Sequence, residues 1–118
     1  MRQEDERALV GRYRACGLHE GLDLRTRSGR ASYYPVGRGG VRFEEGGRFS
    51  LTTVNGAGAF ERTGRWALES GTLCVRLGED EGRFRVRLDA KTLRLSPERG
   101  FLRCGAERLH WPEFRRID

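Results

Sequence analysis

Residues 83 to 89 read Arg-Phe-Arg-Val-Arg-Leu-Asp, and this stretch decides the fold. Phe84, Val86 and Leu88 alternate without a fault with Arg83, Arg85, Arg87 and Asp89. A period of two places apolar side chains on one face of a β-strand and charged ones on the other. One wetted face is the mark of an antiparallel sheet. The pattern repeats outward in both directions. Residues 72 to 77 set Leu73, Val75 and Leu77 on one side, and residues 60 to 69 turn Trp66 and Leu68 inward. Residues 92 to 96 and 101 to 104 follow, and the earlier runs 9 to 16, 31 to 36, 41 to 45 and 48 to 54 read the same way.

Turn signals stand between these runs: Gly39-Gly40, Gly46-Gly47, Asn55-Gly56-Ala57-Gly58, Ser70-Gly71, the segment 78 to 82, Asp89-Ala90-Lys91 and the segment 96 to 100. They recur about every 8 to 12 residues, the spacing of an all-β sandwich or barrel. Connections in the second half are too short for anything but antiparallel neighbours, so 60 to 69, 72 to 77, 83 to 89 and 92 to 96 form a meander. Helix-forming composition is confined to residues 2 to 9, about two turns ahead of the first strand.

The chain has 118 residues, 36% of them hydrophobic, with 23 basic and 17 acidic side chains and a net charge of +6. At this size about two-thirds of the surface can be buried, enough for one self-sufficient domain spanning residues 1 to 118. Arginine supplies every basic position except Lys91, and the positives are interspersed with acids such as Glu44, Glu45, Glu79, Asp80 and Glu81. That mixture disfavours nucleic acid as a partner, since few aromatics interleave with the arginines. No apolar run reaches the roughly 18 residues of a membrane span, and the charged start is no signal-peptide core. As given, the chain reads as cytoplasmic, or as secreted or periplasmic if an export signal has been removed. Cys16, Cys74 and Cys104 are odd in number and lack metal-ligand spacing, so buried free thiols are expected and no metal or cofactor is implied. His19 and His110, with Glu20 and Glu113 close by in sequence, show no ligand spacing either.

About eight strands in so short a chain raise the problem of exposed edges, which an up-and-down barrel solves by pairing first strand with last. Gly11-Arg12-Tyr13 looks like the Gly-x-Trp opening of the lipocalin-like (calycin) barrels, with Tyr in place of Trp. Gly64-Arg65-Trp66-Ala67-Leu68 followed by Ser70-Gly71-Thr72-Leu73 is similar to the mid-chain strand-turn-strand of bacterial lipocalin-like domains, and Phe101-Leu102-Arg103-Cys104 offers a third point of likeness. The resemblance implies a single antiparallel meander barrel with a short N-terminal helix; a β-sandwich is the alternative. It also implies an arginine near the chain end, Arg103 or Arg108, packed over Tyr13. Closure of such a barrel would bring Cys16 and Cys104 onto neighbouring strands, where a disulfide is conceivable.

A calycin barrel is a container, so the resemblance implies a small apolar or amphipathic ligand. Tyr13, Phe43, Phe49, Trp66, Val75, Phe84 and Val86 are the expected inward contacts, within a wider set that adds Leu51, Leu68, Leu73, Leu88 and Leu95. The same residues would equally serve as packed core. Tyr33 and Tyr34, in the long first connection, add hydroxyls able to orient a ligand, or form a half-buried edge strand. A second function class follows from strand register. Placing Leu77 opposite Phe84 sets Arg76 against Arg85 and Cys74 against Arg87, with Arg65 against Arg76 and Arg87 against Arg94. An outward row of Arg65, Arg76, Arg85, Arg87 and Arg94 would suit an acidic protein partner, as in an inhibitor or immunity-type module. Some calycin barrels are cyclases or isomerases of biosynthetic pathways, a third possibility for which no residue stands out.

Overall fold

The computed structural model describes residues 3–16, 21–97 and 113–117. One helix, α1 (Gln3–Leu9), precedes ten strands: β1 (Gly11–Ala15), β2 (Gly21–Arg25), β3 (Ala31–Pro35), β4 (Gly40–Glu44), β5 (Arg48–Asn55), β6 (Gly58–Glu69), β7 (Thr72–Leu77), β8 (Asp80–Leu88), β9 (Thr92–Pro97) and β10 (Glu113–Arg116). Eight of them close a ring in the order β1, β4, β5, β6, β7, β8, β9, β10 and back to β1, and each neighbouring pair is antiparallel. The expected meander barrel is therefore present, and closure excludes an open sandwich. Strands β2 and β3 leave the ring as a hairpin inside the connection from β1 to β4, joined to the barrel wall where Arg25 meets Glu81.

Cross-strand pairing explains why the inward set is buried. Val41 faces Tyr13 and Leu51, Phe43 faces Phe49, Trp66 faces Val75, and Leu73 faces both Leu68 and Phe84. All of these are buried, as are Leu93, Leu95 and Phe114, while Val86 and Leu88 are half-buried and pack against them. The β6–β7 turn uses Ser70 and Gly71, both at positive φ (52° and 83°), the conformation of a two-residue hairpin whose twist matches its strands.

At the α1 end the barrel is filled by rings. Phe43 meets Tyr13 edge-on at 5.9 Å and Trp66 at 5.4 Å, and tilts against Phe49 at 5.2 Å. The Tyr13 hydroxyl donates to the Leu9 carbonyl (2.9 Å), and the Trp66 indole N–H donates to the Glu44 carbonyl (2.9 Å). Arg116 lies over the Tyr13 ring at 5.2 Å and donates to the carbonyls of Ala8 and Val10. The resemblance is thus fulfilled in kind by a different arginine; Arg103 and Arg108 lie outside the described residues.

Three expectations need correction. The β7–β8 connection is a tight turn at Gly78 and Glu79, with Asp80 and Glu81 already in the strand. Leu77 therefore pairs with Asp80, Leu73 with Phe84, Arg76 with Glu81 and Cys74 with Arg83, rather than Arg76 with Arg85 and Cys74 with Arg87. The shift replaces a like-charge pair by an opposite-charge one, the favourable choice between the two registers. Strands β2 and β10 were not anticipated, and the anticipated strand 101 to 104, with Cys104, lies outside the described residues, as do His19 and His110. Finally, Cys16 is exposed and Cys74 half-buried, rather than buried core.

Gly40 sits where β1 and β5 flank β4, and a Cβ there would overlap the Tyr13 carbonyl oxygen. Gly40→Ala should cost about 2 kcal/mol or more, because backbone rather than a pliable side chain must yield. Gly56→Ala, at a turn with open space around it, should change stability by less than about 0.5 kcal/mol. Urea midpoints of the two variants check the contrast.

Candidate functional site at the hairpin-capped end

The end of the barrel opposite α1 is covered by the connection that carries β2 and β3. In this hairpin Leu22 pairs with Tyr34 and Leu24 with Ser32, so these four side chains share one face. Leu22 and Leu24 are fully buried and belong to the barrel core, as does Val36 just beyond β3. A Cβ on Gly82 would collide with both the Leu24 side chain and the Phe84 ring, which shows where the hairpin inserts. The missing side chain at Gly82 is the notch that admits Leu24.

Polar contacts fasten the hairpin. The Tyr34 hydroxyl donates a hydrogen bond to Oδ2 of Asp80, at the start of β8. Arg62 of β6 places its guanidinium 5.4 Å from the Tyr34 ring centre. Thr53 of β5 donates to the Pro35 carbonyl, and the backbone N–H of Val54 to that of Val36. By register, Arg62 faces Leu51 and lies on the same side of β6 as Gly64, Trp66 and Leu68, while Asp80 faces Leu77. Both charges therefore stand on the inward side of the wall, at the rim where the apolar interior meets the hairpin.

The sequence-derived residues divide between the two ends. Tyr13, Phe43, Phe49 and Trp66 form the ring cluster at the α1 end, packed on one another. Val75, Phe84 and Val86 line the β7–β8–β9 wall, and Phe84 reaches the Gly82 notch beneath the hairpin. Tyr34 faces the barrel, whereas Tyr33 is on the other face of β3, its ring over Gly21. Arg62 and Asp80 were missed; their signal lies in pairing register, which a single run of residues does not display. On the outer wall, Arg65 does stand opposite Arg76 and Arg87 opposite Arg94, but Glu81 flanks Arg76 and Glu113 forms an ion pair with Arg94 at 3.5 Å.

A closed eight-strand antiparallel barrel with one short N-terminal helix is a lipocalin-like small β-barrel. No family model matches the chain, and no curated protein matches it. Among solved structures it is similar to a lipocalin-like protein from Bacteroides uniformis, at 17% identity and a TM-score of 0.55 over 92% of this chain and 98% of that one. It is also similar to an uncharacterized protein from Bacteroides eggerthii, at 16% identity and a TM-score of 0.58 over 92% of this chain and 99% of that one. Likeness at these identities concerns the fold. Among the described residues no helix is long and apolar enough to cross a membrane.

The Tyr34 hydroxyl is held above its ordinary value of 10.0 by burial first, then by its hydrogen bond to Asp80 and by that carboxylate's charge; a Ser32 hydrogen bond and the Arg62 charge oppose the shift. The unfolded chain thus loses this proton before the folded one does. The linked stability is fully present below the unfolded value and is lost as pH rises through the folded value. Between about pH 9 and about pH 11 the urea midpoint of the native protein should fall more steeply than that of Tyr34→Phe.

Proposed function

We propose that the protein binds a small amphipathic molecule, its apolar part inside the barrel and an acidic or hydrogen-bonding head beneath the β2–β3 hairpin. The observation that supports this reading is the Tyr34, Asp80 and Arg62 group at the hairpin-capped rim, above an interior of leucines and Phe84. Arg62 is exposed at the rim, where its guanidinium can meet an anionic head in water while the apolar interior lies behind it. Arg62 supplies charge and donors to such a head, and Tyr34 can turn its hydroxyl from Asp80 to the ligand. The hairpin contributes Leu22 and Leu24 as an apolar cover. Tyr13, Phe43, Phe49 and Trp66 then form the floor that stops the ligand, with Val75, Phe84 and Val86 along the wall and Tyr33 on the hairpin's outer side.

Binding of the fluorescent probe N-phenylnaphthylamine, and its displacement by dodecanoate and by dodecanol, tests the proposal. The native protein should take up the probe saturably and prefer the acid to the alcohol. Val75→Trp should remove probe uptake by filling the interior. Arg62→Gln, at an exposed position, should keep probe uptake but lower the preference for the acid about tenfold, the effect of one charge-assisted hydrogen bond. Absence of probe uptake by the native protein would overturn the container reading.

The outer wall supports a second reading. Arg48, Arg65 and Arg76 stand in register across β5, β6 and β7, all exposed, and with Arg85, Arg87 and Arg94 they offer an acidic protein partner a basic surface. Charge reversal at Arg65 and Arg76 should then abolish capture of that partner from host extract while leaving probe uptake intact.

A further inference from the structure

The outside of the barrel carries a second group of arginines, on β1, β4 and the connection before β4, distant in the sheet from the β7–β9 row. Two outward rows cross this wall side by side. One runs Arg12, Arg42, Ser50, Thr63 and the other Arg14, Gly40, Thr52, Glu61. Where the two rows run past Gly40 the surface has a hollow of about 280 Å³. Arg12, Arg14, Arg38 and Arg42 line it, with Ser50 and Thr52 on its floor and Glu61 at its edge.

Ser50 is the telling residue. It is a buried polar side chain on the outward face, 3% exposed, and its Oγ has no hydrogen-bond partner among the described residues. A buried hydroxyl left unsatisfied is unfavourable, and the native arrangement calls for a reason. Its neighbours are cationic. Arg42 is shared with Glu44, at 3.0 Å, but Arg14 and Arg38 have no ion pair among the described residues. Arg14 and Arg38 therefore bring two guanidiniums without an ion pair to the hollow, with Glu61 as the carboxylate at its edge, and planar guanidinium forks match the oxygens of a phosphoryl group.

We infer that this hollow binds a phosphoryl group, with Ser50 Oγ and the Arg12, Arg14, Arg38 and Arg42 guanidiniums as its donors. The volume lies just below the range of drug-sized pockets and suits a compact anionic group rather than a large organic body. Ser50 and Thr52 would donate from the floor while the arginines close from the sides. Glu61 is the opposing charge and sets an upper limit on affinity. The site is separate from the barrel interior: its proposed donors stand on the outward face of β1, β4 and β5 and on the connection before β4, and none of them is assigned to the amphiphile.

Calorimetric titration with inorganic phosphate, and separately with phenyl phosphate, tests this at low ionic strength and about pH 7.5, where surface charges are least screened. One saturable site per chain is expected. Arg14→Gln and Ser50→Ala should each weaken it about tenfold, as expected for loss of one charge-assisted hydrogen bond. Glu61→Gln should tighten it several-fold, a gain that no folding defect can mimic. Ser50→Ala should keep or raise the urea midpoint, since it removes an unsatisfied hydroxyl. Arg76→Gln, on the β7 wall, should leave the titration unchanged. Tighter binding of phenyl phosphate would identify a phosphate ester as the source, and tighter binding of inorganic phosphate the free ion. The inference is overturned if neither compound gives saturable heat up to about 10 mM, well above the affinity of a built site. It is equally overturned if Arg76→Gln weakens binding as much as Arg14→Gln, because diffuse charge would then account for it.

Discussion

Closure of the barrel is the constraint from which the rest follows. A sheet that joins β1 to both β4 and β10 has no ladder to leave unpaired around the ring, and its inward residues must share a fixed volume. The joint is made where α1 ends. Tyr13, on the first strand, ties back to Leu9 through its hydroxyl and lies under Arg116 of the last strand, whose guanidinium ties to Ala8 and Val10. One arginine thus satisfies carbonyl groups at the end of the helix and covers an aromatic face, holding three parts of the chain far apart in sequence. The ring cluster of Tyr13, Phe43, Phe49 and Trp66 stacks directly on this joint.

The opposite end is built on different physics. There the cover is a hairpin whose apolar contribution is Leu22 and Leu24, and whose remaining fastenings are a tyrosine-carboxylate hydrogen bond, a guanidinium near a ring and two contacts to β5. Each polar fastening is worth far less than the burial of a large side chain. The α1 end is therefore closed by stacked rings and the hairpin end by buried leucines with a set of polar contacts around them. Tyr34 and Arg62 belong to those polar contacts, so the proposed ligand would compete with them rather than with the buried leucines.

Much of this was written in the sequence. The uninterrupted alternation of 83 to 89 places Phe84, Val86 and Leu88 correctly, and the turn signals locate most strand boundaries because Gly-containing turns have few conformational substitutes. What escaped had weak local signal. Residues 113 to 116 contain one apolar residue, Phe114, so β10 shows no alternation although Phe114 is fully buried. Residues 21 to 25 do alternate, but over only five positions, and Leu22 and Leu24 are buried by the barrel rim rather than by a sheet of their own. The segment 78 to 82 looks like a five-residue loop because it is acidic and bounded by glycines. Its Glu81 is strand because Arg76 stands opposite, a cross-strand preference that is invisible in one dimension. Tyr34 was legible as a candidate from its ring and hydroxyl, whereas Arg62 is one arginine among many until register turns it inward.

The notch at Gly82 has a wider meaning for how the chain avoids itself. With eight strands closed on one another, β3 lies at the edge of the sheet among the described residues. Leu24 seated in the notch anchors that hairpin across the barrel end, and Pro35 terminates β3 without an N–H to offer a neighbour. A methyl in place of the Gly82 hydrogen would meet the ends of the Leu24 and Phe84 side chains, which would have to shift for the hairpin to stay seated. The seat of the hairpin and the placing of its open edge are thus linked through one glycine, which lets the hairpin lie on the barrel with its two leucines out of water.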